Sequence, residues 1–281
     1  MPPVAVVTDS TADLPAEVVQ AWPITVVPLW LHWEGRDYRD GVDLTPEAFY
    51  QRLGMTARLP TTSHPPPEAI AEVFRTLAYS GHDIYAVFLS DKFSGTYRAA
   101  LQARQQVPGA RIIVEDSGTT SMAQGFQVLA AAQAAQAGAS LEEVQAAAHQ
   151  ARAHSGQLFV PRTLAYMRRS GRLGPLQYRL ASALQILPVL EIRDGGPALV
   201  TRVRTYRRAV EYMVDEIVQR LAGKPQVRLA FMHADAPTTI AGVEAAVLAH
   251  ITPVEVIRGT LGPVLGLYTG PGLVGVAYWW G

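Results

Sequence analysis

Ser94 opens the chemical question. It closes the stretch Ile84-Tyr85-Ala86-Val87-Phe88-Leu89-Ser90-Asp91-Lys92-Phe93-Ser94-Gly95-Thr96-Tyr97. Six apolar residues begin that stretch and read as a buried strand of a parallel sheet. A helical pattern (Tyr97, Ala100, Leu101, Arg104) follows at once, so small hydroxyls and a glycine stand where a strand gives way to a helix. An anion there meets hydroxyls, unpaired amide hydrogens and the positive end of a helix dipole. The plainer role for Ser94 is a helix cap. Two other strand ends carry similar chemistry: Thr8-Asp9-Ser10-Thr11 and Asp116-Ser117-Gly118-Thr119-Thr120-Ser121. Three such ends outline a polar rim at the carboxyl edge of a sheet, where open α/β folds collect ligands.

Other chemistries fit less well. The histidines (His32, His64, His82, His149, His154, His233, His250) form no metal-ligand pair, and cysteine is absent, so metal and thiol sites are unsupported. No Gly-x-x-x-x-Gly-Lys loop and no Gly-x-Gly-x-x-Gly after the first strand points to nucleotide binding. A serine hydrolase using Ser94 is the enzyme alternative, but Phe93-Ser94-Gly95-Thr96 lacks the Gly-x-Ser-x-Gly elbow. Its best base, within His233-Ala234-Asp235, is weak. A module for another small anion is a third reading.

The elements that position these residues alternate. Strands are predicted at Val4–Thr8, Ile84–Leu89 and Arg111–Glu115. Helices are predicted from Pro15 (capped by Asp13), after Thr45, over Glu68–Tyr79, after Ser94, and over Met122–Ala137 and Leu141–His154. Ile24–Trp33 turns through Glu34-Gly35 into a hairpin. Pro60-Thr61-Thr62-Ser63-His64-Pro65-Pro66-Pro67 reads as a stiff, extended loop, because proline disfavours helix at its own and the preceding position. Near residue 155 the pattern restarts. A helix over 163–169 breaks at Ser170-Gly171, and another is predicted over 181–187. A hairpin turns at Asp194-Gly195-Gly196, Tyr206–Leu221 is a long helix, and strands and a helix fill 227–258. A glycine-rich passage over 259–272 leads into a last strand. The prediction is α/β: residues 1–155 with a mostly parallel sheet flanked by helices, and residues 156–281 with a mixed sheet.

Composition sets broad limits. The 281 residues are 49% hydrophobic, enough for a large core or an apolar cavity. No apolar run reaches the ~18 residues of a membrane span. The start has no basic leader pattern, so a cytoplasmic protein is expected. Formal net charge is zero, which argues against nucleic acid as a partner. Arginines nevertheless crowd residues 162–208, a solvated face or a surface for an acidic or phosphorylated partner.

Several motifs together resemble one family. They are Val6-Val7-Thr8-Asp9-Ser10-Thr11-Ala12-Asp13-Leu14, Pro60-Thr61-Thr62-Ser63-His64-Pro65, Ser94-Gly95-Thr96-Tyr97, Ser170-Gly171-Arg172-Leu173, and Gly262-Pro263-Val264 through Tyr268-Thr269-Gly270-Pro271-Gly272. In this order, across the whole chain, they look like the DegV family. The resemblance implies two α/β domains holding a long-chain fatty acid between them. It further implies the fatty-acid-binding (FakB-type) subunit of bacterial fatty acid kinase, with no catalytic site or cofactor of its own. A separate ATP-binding kinase subunit would phosphorylate the presented carboxylate. The implied carboxylate contacts are Thr62 and Ser94, helped by the backbone of Gly95. Arg172 and Arg204 resemble basic positions near the carboxylate or in kinase docking. Contact with a membrane would be transient at most. One departure stands out: the family often has His-Thr-Gly-Pro-Gly where this chain has Tyr268-Thr269-Gly270-Pro271-Gly272. A tyrosine hydroxyl donates to a carboxylate but stays uncharged near neutral pH. The site is therefore expected to be less basic, or rearranged.

Overall fold

A computed structural model describes residues 2–56, 58–173 and 186–281. The first half builds a four-stranded parallel sheet in the order β2-β1-β6-β7. These strands are β1 (Val4–Asp9), β2 (Ile24–Val27), β6 (Asp83–Phe88) and β7 (Ile112–Asp116). Every residue of β1 and β6 is buried, as the unbroken apolar runs require of strands covered on both faces. The order turns back between β1 and β6, a topological switch point. The polar strand ends gather on that edge. The β1 carboxylate of Asp9 accepts the backbone N–H of Leu89 at 2.8 Å, tying the two ends together.

The second half forms a six-stranded mixed sheet, β10-β9-β8-β13-β11-β12. Its strands are β8 (Ser155–Val160), β9 (Leu187–Arg193), β10 (Gly196–Val203), β11 (Arg228–His233), β12 (Glu255–Thr260) and β13 (Val274–Trp279). Only β11 and β12 pair parallel. The predicted class, α/β with one parallel and one mixed sheet, is the fold observed.

Helix α5 (Ser121–Gln136) sits between the two sheets. It packs on β1 and β6 on one side and on β8 and β13 on the other. Its first dozen residues are buried, which fits a helix apolar on every side. Alanines there let α6 (Leu141–Ala153) approach closely. One core cluster thus runs from Val6 through Phe126 to Trp279, and the two halves share their interior. A second cluster lies under α8 (Tyr206–Leu221) and α9 (Pro237–Leu248).

Several local expectations are corrected. Asp13 does not cap α1 (Ala16–Ala21): Pro15 stands at the cap position, and Asp13 lies in left-handed backbone with φ 50°. The proline-bracketed stretch is not all loop. Thr61–Ser63 is β5, which pairs antiparallel with β3 (Trp30–Trp33), itself paired to β4 (Arg36–Arg39). In this third, three-stranded sheet the β3–β4 pair is the hairpin predicted through Glu34-Gly35. Ile24–Val27, however, joins the parallel sheet instead of continuing into β3. Strand β5 went unread because three residues between prolines carry no detectable alternation. The glycine-rich passage hides α10 (Pro263–Thr269), which starts with proline at its first helical position. Gly266 lets α10 lie against Tyr50 and Phe49 of α2 (Pro46–Leu53), where a β-carbon would collide with the Tyr50 hydroxyl. The helix predicted over 181–187 falls mostly outside the described residues, and Leu187 opens β9.

Candidate functional site

A cavity of about 500 Å3 opens between the carboxyl edge of the parallel sheet and the second half. Leu29, Leu89 and Phe93 supply its apolar wall from the first half; Phe159, Met167, Ile192, Pro197, Val264 and Leu265 supply it from the second. A narrower apolar annex of about 70 Å3 shares Phe159, Ile192, Leu265, Thr120 and Thr269 with it. The combined space is mostly apolar in its lining and within the usual size of small-molecule sites.

Polar groups cluster along another part of the wall. Thr62 comes from β5, and Tyr268 comes from α10; their hydroxyls hydrogen-bond to each other. Two residues after Thr62, the His64 ring lies beside Gly95, close enough that a β-carbon on Gly95 would fall 3.0 Å from its Cδ2. Gly95 is the residue before α4 (Thr96–Gln105), and no side chain caps that helix. The Ser94 hydroxyl pairs instead with the Thr96 hydroxyl at 2.9 Å. Ser94 is therefore not a helix cap, and among the described residues no side chain accepts from the first N–H groups of α4 beside the cavity. Asp91 and Arg98 also line the wall but neutralise each other, with Arg98 Nη1 donating to Asp91 Oδ2 at 2.6 Å. Lys92 lines it too.

Of the residues singled out from sequence, Thr62, Ser94, Gly95, Arg172 and Tyr268 line this one cavity. Arg172 follows α7 (Ala165–Ser170), whose end at Gly171 has φ 72°. Its guanidinium lies over the Tyr268 ring, 4.9 Å from the centroid. Arg204 sits just past β10, exposed, and is not among the lining residues. His233, the candidate hydrolase base, does not line the cavity with Ser94; its Nδ1 accepts the Ala236 N–H at 3.3 Å. Among the described residues no group of three or more His, Asp or Glu side chains is arranged for a metal ion.

Sequence reasoning missed what holds α10 in place. Asp13 Oδ1 accepts the N–H of Gly262 at 2.9 Å, and Asp40 Oδ1 accepts that of Val264 at 3.1 Å. Ser121 Oγ donates to Asp13 and Ser10 Oγ donates to Asp40, each at 2.7 Å. Two buried carboxyls from the first half thus bind the start of the helix that carries Tyr268. Burial, the dominant cause, pushes Asp13 up to about 8 and Asp40 up to about 6. Burial raises Asp9 as well, against hydrogen bonds from Thr11, Leu89 and Gln124. The β9–β10 hairpin makes a second bridge: Ser90 Oγ donates to the Gly195 carbonyl at 2.8 Å at the hairpin tip.

Comparisons with known proteins agree with this architecture. Residues 3–280 match the family described as "Uncharacterised protein, DegV family". A DegV domain-containing protein of Caldanaerobacter subterraneus is 32% identical over 278 residues, 99% of each chain. A DegV family protein from Thermus thermophilus, solved in a study of its fatty acid binding, superposes with a TM-score of 0.92 at 32% identity, covering 99% of both chains. DegV, a fatty acid binding protein from Bacillus subtilis, gives a TM-score of 0.93 at 27% identity over the full length of both. The family match spans nearly the whole chain, and this protein belongs to the DegV family.

Proposed function

We propose that this chain binds a long-chain fatty acid in the cavity between its halves and presents the carboxylate to a separate ATP-dependent kinase subunit. The observation that carries the reading is a largely apolar cavity, lined from both halves, with the Thr62, Ser94 and Tyr268 hydroxyls on its wall. Each buried CH₂ favours binding by about 0.8 kcal/mol, so a long acyl chain brings a gross drive on the order of 10 kcal/mol. Ordering the ligand offsets much of it. The carboxylate cannot be buried bare, and hydrogen bonds to an ionised acceptor contribute about 1.5–3 kcal/mol each. Thr62 and Tyr268 each donate a hydroxyl hydrogen to that carboxylate. The uncapped start of α4 adds backbone donors and a favourable dipole beside Ser94. The acyl tail runs toward the annex at Phe159 and Ile192.

In the hand-over, a carboxylate oxygen attacks the terminal phosphorus of ATP held by the partner. The bond from that phosphorus to the bridging oxygen breaks, and ADP leaves with the electron pair. The chain contributes position, not a catalytic group. The test is to mix the lipid-loaded chain with the ATP-binding subunit of a bacterial fatty acid kinase and ATP, and to trap acyl-phosphate as its hydroxamate. Hydroxamate that requires both proteins is the predicted result. A bound fatty acid that is never phosphorylated would limit the role to lipid binding.

A further inference from the structure

A second concavity of about 500 Å3 lies beside the lipid cavity. The two share Thr62, Ser170, Arg172 and Tyr268. The Thr62–Tyr268 hydrogen bond and the Arg172 guanidinium stacked on Tyr268 are therefore the partition between them. The second space has a different character from the first. Arg58, Arg169 and Arg172 line it, all three are exposed, and no carboxylate does. Among the described residues none of the three guanidiniums is held in an ion pair; Arg172 Nη1 donates only to the Ser170 carbonyl, at 2.6 Å.

Three like charges around one concavity repel one another, and an anion bridging them relieves that repulsion. The donor type narrows the anion. Guanidinium forks match the oxygens of phosphoryl groups in paired hydrogen bonds, and all three cations are arginine, none lysine. A carboxylate brings one charge and two oxygens, too little for three forks. A phosphoryl group brings close to two charges and three oxygens. We propose that this vestibule is a phosphoryl-binding subsite formed by Arg58, Arg169 and Arg172, directly outside the Thr62–Tyr268 partition. The inference deepens the fatty-acid reading and rests on it only for what lies behind the partition. An acyl-phosphate would span both spaces, with its chain inside and its phosphoryl group among the arginines. Free phosphate would occupy the vestibule alone.

The test uses the full chain as purified. Inorganic phosphate is titrated at low ionic strength and followed by ³¹P NMR linewidth, for the parent and for Arg58→Ala/Arg169→Ala. Both side chains are exposed, so the fold tolerates their loss. The expected result is saturable broadening in the parent that weakens at least tenfold in the double variant. Octanoyl phosphate is then added as competitor. Displacement of both phosphate and bound fatty acid identifies an acyl-phosphate spanning the partition; displacement of phosphate alone identifies free phosphate, and both outcomes support the subsite. Absence of saturable binding in the parent, or equal binding in the double variant, overturns it. Native mass spectrometry of the same samples separates the two readings. Phosphate binding by a chain without lipid would sink the fatty-acid reading alone, and a lipid-filled chain indifferent to phosphate would sink the subsite alone.

Discussion

Thr62 and Tyr268 stand 206 positions apart in the chain, yet their hydroxyls close on each other across the cavity wall. Replacing Tyr268 with Phe keeps the ring under Arg172 but removes a donor. Fatty-acid affinity should fall about 10- to 100-fold, the equivalent of one hydrogen bond to an ionised group. Displacement of a fluorescent fatty acid measures this, and unchanged affinity would remove Tyr268 from the carboxylate site.

Asp13 makes stability depend on pH in a direction opposite to that of a salt-bridged aspartate. Burial raises its pKa to about 8, so the folded chain holds this proton more tightly than the unfolded chain does. That contribution is fully present below the ordinary aspartate range and is lost as pH rises through about 8. Asn at this position mimics the neutral acid: its oxygen accepts from Gly262 and its amide donates to Ser121. Asp13→Asn should gain urea midpoint over the parent as pH climbs from about 4 to 8. Asp9 and Asp40 remain in both proteins, and the loss of their repulsion with the Asp13 carboxylate adds to the variant's gain at high pH. Parallel midpoint curves would contradict the prediction.

Gly195 holds the tip of the β9–β10 hairpin against Ser90. Its φ is 77°, and a β-carbon would meet Ser90 Oγ at 2.6 Å. Gly195→Ala should lift the hairpin that brings Ile192 and Pro197 to the cavity. Fatty-acid dissociation should accelerate several-fold while the far-ultraviolet circular dichroism spectrum stays that of the parent. A dissociation rate equal to the parent's would show that the hairpin does not close the cavity.

Arg172 belongs to the partition and not to the oily wall. Arg172→Ala should leave fatty-acid affinity within about threefold of the parent and reduce acyl-phosphate formation at least tenfold. Paired binding and hydroxamate assays decide it, and unchanged formation removes the role.

How much of this was readable before the fold was seen depends on the range of the interaction involved. Strand β6 and the hydroxyls after it were legible because six apolar residues followed by Ser94-Gly95 are a local pattern. Tyr206–Leu221 was legible to the residue, since its apolar spacing persists over several turns. Helix α10 was not: glycines at Gly262, Gly266 and Gly270 look like a loop. Only the Tyr50 ring from α2 explains why Gly266 is required inside a helix. Asp13 was misread as a cap because its local context, two residues before Pro15, is that of a cap. Its partners, Ser121 and Gly262, lie 108 and 249 positions away, and nothing in the neighbouring sequence announces them. The vestibule failed to appear for the same reason: Arg58 is remote from Arg169 and Arg172 in sequence, and β5 brings its segment alongside α7 and α10.

The central claim is that an acyl chain lies between the two halves with its acid held by neutral hydroxyls. Native mass spectrometry of the untreated protein, beside a Thr62→Ala/Ser94→Ala double variant of matched circular dichroism, tests it most directly. The parent should carry the mass of a long-chain fatty acid, and the double variant should have lost most of it. A parent without any acyl mass, or a double variant that keeps its lipid as the parent does, would contradict the account.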